Sequence, residues 1–282
     1  MTKKTFHYIC MLFISLFVFS IDIANPKALE HISINYYGVE ITRDEYLTLL
    51  NLGFDENEIY YMTEEIFNEN KDLDATLLAQ TQKYYKTVYP TYGNSYTVEV
   101  TEDEFYNHEN NTLGQTVTSY ETVKSSISAN GSMYRYKVTQ SWDSNPSTKS
   151  YDVIAIGFNN MIHINGGTTF YNMYTTSSGN TTTSYTYYNK LNTGTGGTTT
   201  YKLPSSFVGG SAIYYFNVAK DSGAGTITSL YMCGDYAHAF SNVTGNQAAS
   251  HLIDINGIDF SSSVYNYFDE IPCATTYMGV TW

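Results

Sequence analysis

Asp254 and Asp259 bracket Asn256-Gly257, a strong short hairpin signal, flanked here by alternating apolar residues. A two-residue turn at Asn256-Gly257 sets the two carboxylates directly opposite each other, where like charges repel. A bound Ca²⁺ would relieve that conflict, since carboxylates and turn carbonyls are its preferred ligands. The competing reading has both acids pointing into water, screened by salt. No other cofactor is indicated. Asp235 and His238, in Cys233-Gly-Asp-Tyr-Ala-His238, are the candidates for acid–base chemistry, because an Asp can orient a His for catalysis. In a regular strand their three-residue spacing places them on opposite faces, so a packed or surface histidine competes with that reading. Aromatic rings are the third resource. Of 29 tyrosines, Tyr185, Tyr187, Tyr214 and Tyr265, together with Trp142, are candidates to stack on sugar rings. Tyr is also a preferred strand residue, and half-buried rings are the bland alternative.

Common catalytic signatures are missing from the sequence. It contains no G-x-S-x-G elbow, no H-E-x-x-H, no phosphate-cradling glycine loop and no cysteine pair at zinc spacing. Catalytic groups assembled from distant strands stay open. Cys233 and Cys273 are either a disulfide or two buried thiols.

The elements that position these residues fall into three segments. At the start, Lys3 and Lys4 precede an apolar run from Phe6 to Ile21, broken by Asp22. That is the pattern of a secretory signal peptide over residues 1–28, with Ser20, Ala24 and Ala28 as candidate cleavage points. The run is short of the roughly 20 residues that span a bilayer, so no stable span is expected after cleavage and the protein reads as secreted. The second segment, 29–92, is acidic and helical. Thr42-Arg-Asp-Glu45 and Asp55-Glu-Asn-Glu58 are capping boxes, Thr63 can cap a third helix, and Gly53 suits a helix end. Leu73 to Val88 reads either as a further helix or as an extended connector, and Pro90 with Gly93 marks the boundary.

The third segment, 93–282, changes to period two. Around Asn130-Gly131 one strand face collects Val123, Ile127, Tyr134, Tyr136, Val138 and Trp142. The other face collects Lys124, Ser126, Ser128, Arg135, Lys137 and Thr139. Tyr151 to Phe158 is apolar on both faces and reads as an inner strand. Asn165-Gly166-Gly167 reads as a hairpin turn. Thr175 to Thr200, with 14 Ser or Thr in 26 residues, reads as a long solvated hairpin or loop at the edge. The class is mainly β with a small N-terminal α segment, the body being an antiparallel β-sandwich or jelly roll. Trp142 with Pro146, Ser150-Tyr-Asp-Val-Ile-Ala-Ile-Gly157 and Asp235-Tyr-Ala-His-Ala239 carry a resemblance to uncharacterised exported proteins of AT-rich Gram-positive bacteria. It covers about half of the chain, and it implies export and a β-rich fold but no activity.

Charge separates the same segments. The formal net charge is −13, from 27 acids and 14 bases. Residues 29–109 hold 17 acids against Arg43, Lys71, Lys83 and Lys86, whereas residues 110–282 are nearly balanced. Without a basic surplus, nucleic acid is not an expected partner. The helix caps give the acids a sufficient role at the positive ends of dipoles, with their outer sides in water.

Three functions are consistent with this pattern. The favoured one is a secreted or cell-surface non-catalytic binding or adhesion protein for a glycan or another surface ligand. A secreted hydrolase would need Asp235, Asp254 or Asp259 to converge with His238 or His163 in a cleft. A β-hairpin pore-forming toxin would need a continuous lipid-facing row that Thr175 to Thr200 lacks.

Overall fold

A computed structural model describes residues 32–90, 95–107 and 117–282. The chain divides into two units, 1–31 and 32–282, and only the second is described. The signal-peptide reading over 1–28 therefore lies outside the described residues.

Two antiparallel sheets face each other. The seven-stranded sheet has the order β4-β3-β5-β6-β12-β8-β9. These strands are β4 (Tyr96–Val100), β3 (Ala75–Tyr89), β5 (Val117–Asn130), β6 (Met133–Trp142), β12 (Phe207–Lys220), β8 (Ile162–Thr176) and β9 (Thr181–Ser184). The six-stranded sheet runs β10 (Asn189–Asn192), β11 (Gly196–Lys202), β7 (Tyr151–Phe158), β13 (Ser229–Ala239) and β16 (Phe268–Glu270). Its sixth strand, β17 (Ala274–Gly279), also pairs with β13. Val123, Ile127, Tyr136 and Phe216 from one sheet meet Ile154, Ile156, Phe158 and Tyr236 from the other in the main core. The fold is thus a β-sandwich. At Gly234 the sheets come so close that a Cβ would lie 2.0 Å from Ser125 Oγ. Cys233 and Cys273 form a disulfide with their Cα atoms 5.5 Å apart.

The strand β7 lies between β11 and β13, which explains a sequence apolar on both faces. Its Ile154 and Ile156 enter the main core. Val153 and Ala155 face a smaller core beneath the hairpin of β14 (His251–Asp254) and β15 (Gly257–Phe260). A short helix at Gly245–Ala248 joins that cover, closed by a Thr244/Gln247 capping box.

The outer face of the seven-stranded sheet carries the helices α1 (Arg43–Asn51), α2 (Glu56–Tyr60) and α3 (Glu64–Asn70). The capping boxes of α1 and α2 form as expected, whereas Thr63 makes no side-chain cap and bonds to Tyr185 instead. Ile41, Leu49, Ile59 and Ile66 pack on Tyr171, Met173, Ile213 and Tyr215 of the sheet. Gly53, with φ +83°, ends the first helix so close to β5 that a Cβ would lie 2.3 Å from Ser126 Oγ.

The polar face of the β5–β6 hairpin is therefore not a solvent face. Lys124, Arg135, Lys137 and Thr139 are all buried beneath the helices. Lys137 Nζ donates to both carboxylate oxygens of Glu58, at 2.7 and 2.9 Å, and Lys124 to Asp55 at 2.6 Å. Arg135 reaches Asn70. The capping acids of α2 therefore also neutralise Lys124 and Lys137, and the acidic segment is fastened to the body.

Three further expectations need correction. Leu73 to Val88 lies almost wholly in β3, paired along its length with β5. Gly166 and Gly167 do not turn a hairpin; β8 runs through them, with an irregularity in its pairing to β12 between Phe216 and Asn217. Thr175 to Thr200 is not one solvated loop. It contributes β9 and β10 to different sheets, and Thr198 to Thr200 of β11 are buried.

Candidate functional site

The late acids do not converge. In the observed register Asp254 faces Gly257 and Asp259 faces Leu252, two residues out of direct opposition. Asp254 instead accepts from the backbone of Asn256 at 2.6 Å, and the direct opposition that motivated a calcium ion is not formed. Among the described residues no three His, Cys, Asp or Glu side chains are placed to share a metal ion.

Asp235 and His238 also part, as strand alternation requires. Asp235 Oδ2 accepts from the Ile258 backbone at 2.7 Å and anchors the β14–β15 hairpin to β13. His238 turns inward, where its Nδ1 lies 2.9 Å from Asp152 Oδ1 and Tyr236 donates to the same carboxylate. His238 is 2% exposed and its ring sits 5.0 Å from Trp142, so this pair is sealed inside the sandwich. His163 pairs with Asp221 on the surface at 2.8 Å, and buried His251 bonds Thr198 and Ala248. Among the described residues, the hydrogen-bond partners of these histidines do not include Asp254 or Asp259.

Near His238 the sandwich end holds two further acids, Glu121 and Asp269. Burial pushes the Glu121 carboxyl well above its usual range; Gln140, donating at 2.9 Å, opposes this, and Asp269 and Asp152 add to it. Asp269 is raised in the same direction, chiefly by burial. A carboxyl that keeps its proton in the folded protein after the unfolded chain has lost it, near 4.5, stabilises the fold at low pH. That contribution fades as pH rises from the unfolded value through the folded one. Glu121→Gln is therefore expected to flatten this slope and to stabilise the protein at pH 8 by about 2 kcal/mol, the scale of relieving one buried charge. Denaturant unfolding at pH 5 and pH 8 measures it; parallel shifts at both values would contradict the assignment.

The sequence-selected aromatics scatter. Tyr214 is fully buried and Trp142 is 5% exposed, both within the main core, so neither ring has a face free for a ligand. Tyr185 is half-buried and spends its hydroxyl on Thr63. Tyr187 is exposed, with Lys190 Nζ 4.4 Å above its ring, and Tyr265 is exposed on a 3-10 turn (Tyr265–Tyr267).

A different group of tyrosines is concentrated. The hairpin of β1 (Ser33–Ile34) and β2 (Glu40–Ile41) carries Tyr36 and Tyr37 at its tip, and the end of α2 carries Tyr60 and Tyr61. The Tyr36 ring centroid lies 5.1 Å from Tyr37, 6.1 Å from Tyr60 and 5.0 Å from Tyr61. Tyr36, Tyr37 and Tyr60 are each more than 40% exposed, which is unusual for clustered rings. Tyr37 also borders a cleft of about 290 Å³ floored by Phe67 and lined by Glu40, Glu64, Asn68 and Lys71.

One side chain holds this arrangement. Asn35, 8% exposed, donates to the carbonyls of Met62 and Ile59 at 2.6 and 3.3 Å. Its Oδ1 accepts from the backbones of Tyr37 and Val39, both at 3.0 Å. The Tyr36 backbone adds a bond to the Tyr60 carbonyl at 2.9 Å. The Tyr37 hydroxyl is fixed to Thr183 on the edge strand β9. Aromatic faces beside acid, amide and amine groups can stack on the C–H faces of a ring and hydrogen-bond its hydroxyls.

No protein-family model matches this chain, and no curated protein matches it. Among solved structures, Clostridium perfringens delta-toxin aligns over 74% of this chain and 93% of its own, at 7% identity and a TM-score of 0.20. A likeness that low bears on neither fold nor function. Among the described residues no helix is long and apolar enough to cross a membrane.

Asn35→Ala is expected to cost about 1–3 kcal/mol, because the carbonyls and amides that Asn35 serves lose their buried partner. It is also expected to release the tyrosine hairpin. Hydrogen exchange at Tyr37 and Val39 reads the second effect directly, and unchanged protection there would refute the keystone role.

Proposed function

We propose that this protein is a secreted or cell-surface binding module, without catalysis, that holds a glycan at the tyrosine cleft. The observation that carries this reading is the cluster of Tyr36, Tyr37, Tyr60 and Tyr61, whose member Tyr37 borders a polar-walled cleft. Export is supported by Lys3 and Lys4 before the apolar run and by a disulfide, a bond that persists in oxidising compartments. The near absence of bases around the cleft argues against nucleic acid as the ligand.

A glycan array probed with the full chain tests it. Tyr36→Ala and Tyr60→Ala are expected to weaken binding about 30-fold each, the scale of losing a central aromatic contact. Tyr265→Ala, an exposed ring elsewhere, is expected to change nothing. An array without a bound glycan, or a Tyr36→Ala variant that binds like the parent, overturns the reading.

A further inference from the structure

We propose that the tyrosine cleft selects sugars bearing a free amine, so that its ligand is a cationic amino-sugar glycan. The inference rests on the glycan-binding reading above and adds the charge of the ligand. Residues 32–74, which build the cleft and its surroundings, hold 11 acids against Arg43 and Lys71. Only Asp55 and Glu58 among those acids are taken up by the sheet cations Lys124 and Lys137. Glu40 and Glu64 stand exposed in the cleft wall itself.

The single cation in the wall is already engaged. Lys71 lies 3.6 Å from Glu45 and 5.2 Å from the centre of the Phe67 ring, which leaves it poorly placed to receive a uronate or a sulfate. An anionic sugar would meet two carboxylates and a negative surface, and a neutral one would gain only stacking and hydrogen bonds. An ammonium gains twice. The surrounding field raises its local concentration, and the faces of exposed Tyr36, Tyr37 and Tyr60 attract it through their quadrupoles. Rings set nearly perpendicular, as Tyr36 to Tyr37 at 87° and Tyr60 to Tyr61 at 80°, keep one ring face of each pair uncovered by its neighbour.

Calorimetric titration of the full chain with three oligomers of equal length tests this: β-1,4-glucosamine, its N-acetylated form, and a polyuronate. The amine-bearing oligomer is expected to bind about tenfold more tightly than the acetylated one at low salt. Raising the ionic strength should narrow that gap, and the polyuronate should give no heat. Glu64→Gln, a change at an exposed position, should shrink the preference to within about threefold. Binding of the acetylated oligomer with no gain from the free amine, or with the polyuronate as tight, sinks this proposal and leaves the glycan-binding reading standing. A preference untouched by Glu64→Gln also sinks it. Silence from all three oligomers at millimolar concentration sinks both.

Discussion

Glu58→Ala is expected to lower the unfolding free energy by about 3–5 kcal/mol, the cost of leaving one partner of a buried ion pair alone. Glu58 and Lys137 are each 1% exposed. The Lys137 ammonium is fully used: it donates to Glu58, to the Gly53 carbonyl at 3.1 Å and to Thr139 at 2.7 Å. Glu58 also accepts from the Asp55 backbone at 2.7 Å, so the same substitution removes one arm of the capping box of α2. For a domain of this size the loss corresponds to a fall in Tm of about 10 °C. Replacing both partners, as Glu58→Leu with Lys137→Met, should recover most of it, since apolar groups of similar volume need no counter-charge.

The pH dependence of the single variant is a sharper test. Burial already pulls the Lys137 amine down to about 8, against the upward pull of Glu58. Without Glu58 it falls further. The folded state then sheds a proton that the unfolded chain retains up to about 10.5, so stability rises with pH between those values. The defect in Glu58→Ala should therefore shrink from pH 7 to pH 9. A loss below 1 kcal/mol at pH 7, or a defect that grows with pH, would show that the helices are not clamped by this pair.

That clamp was hard to read from sequence for a physical reason. Alternation separates the faces of β5 and β6 correctly, since Val123, Ile127, Tyr136, Val138 and Trp142 do enter the core. It carries no information on what covers the polar face. Lys124, Arg135 and Lys137 look like a solvated row, and Asp55 and Glu58 look like helix caps, until the two are brought together. The Asn-Gly signals had a similar limit. Both hairpins form, but Asn130 pairs with Met133 and Asp254 with Gly257, each one step from a turn centred on Asn-Gly. Moving the turn by one residue shifts the register by two, which preserves the faces but changes every opposed partner, and so takes Asp254 and Asp259 out of direct opposition. In β3 the pairing register breaks between Leu77 and Ala79, interrupting the period-two pattern and leaving a strand that reads equally as a helix. The tyrosine cluster was missed because Tyr36-Tyr37 and Tyr60-Tyr61 lie far apart in the chain. Their only local mark is two adjacent tyrosines beside a turn, and the hydrogen bonds of Asn35 that join them are tertiary.

Removing the disulfide is the second large effect. Cys233→Ala with Cys273→Ala is expected to cost about 3–4 kcal/mol by the chain-entropy argument. The cysteines are 40 residues apart. The loop they close contains the Gly245–Ala248 helix, β14 and β15, which cover the outer face of the six-stranded sheet, and β16, a strand of that sheet. The folded cover is held independently by Asp235 and by the packing of Ile253, Ile258 and Phe260. The bond therefore acts mostly on the unfolded chain, and the variant should keep its strands and its glycan binding while its Tm falls by about 10 °C. Reductant under unfolding conditions should bring the parent to the variant's stability and leave the variant unchanged. Two titratable thiols in the unreduced, denatured protein would defeat this prediction, and would remove the structural support for an oxidising compartment along with it.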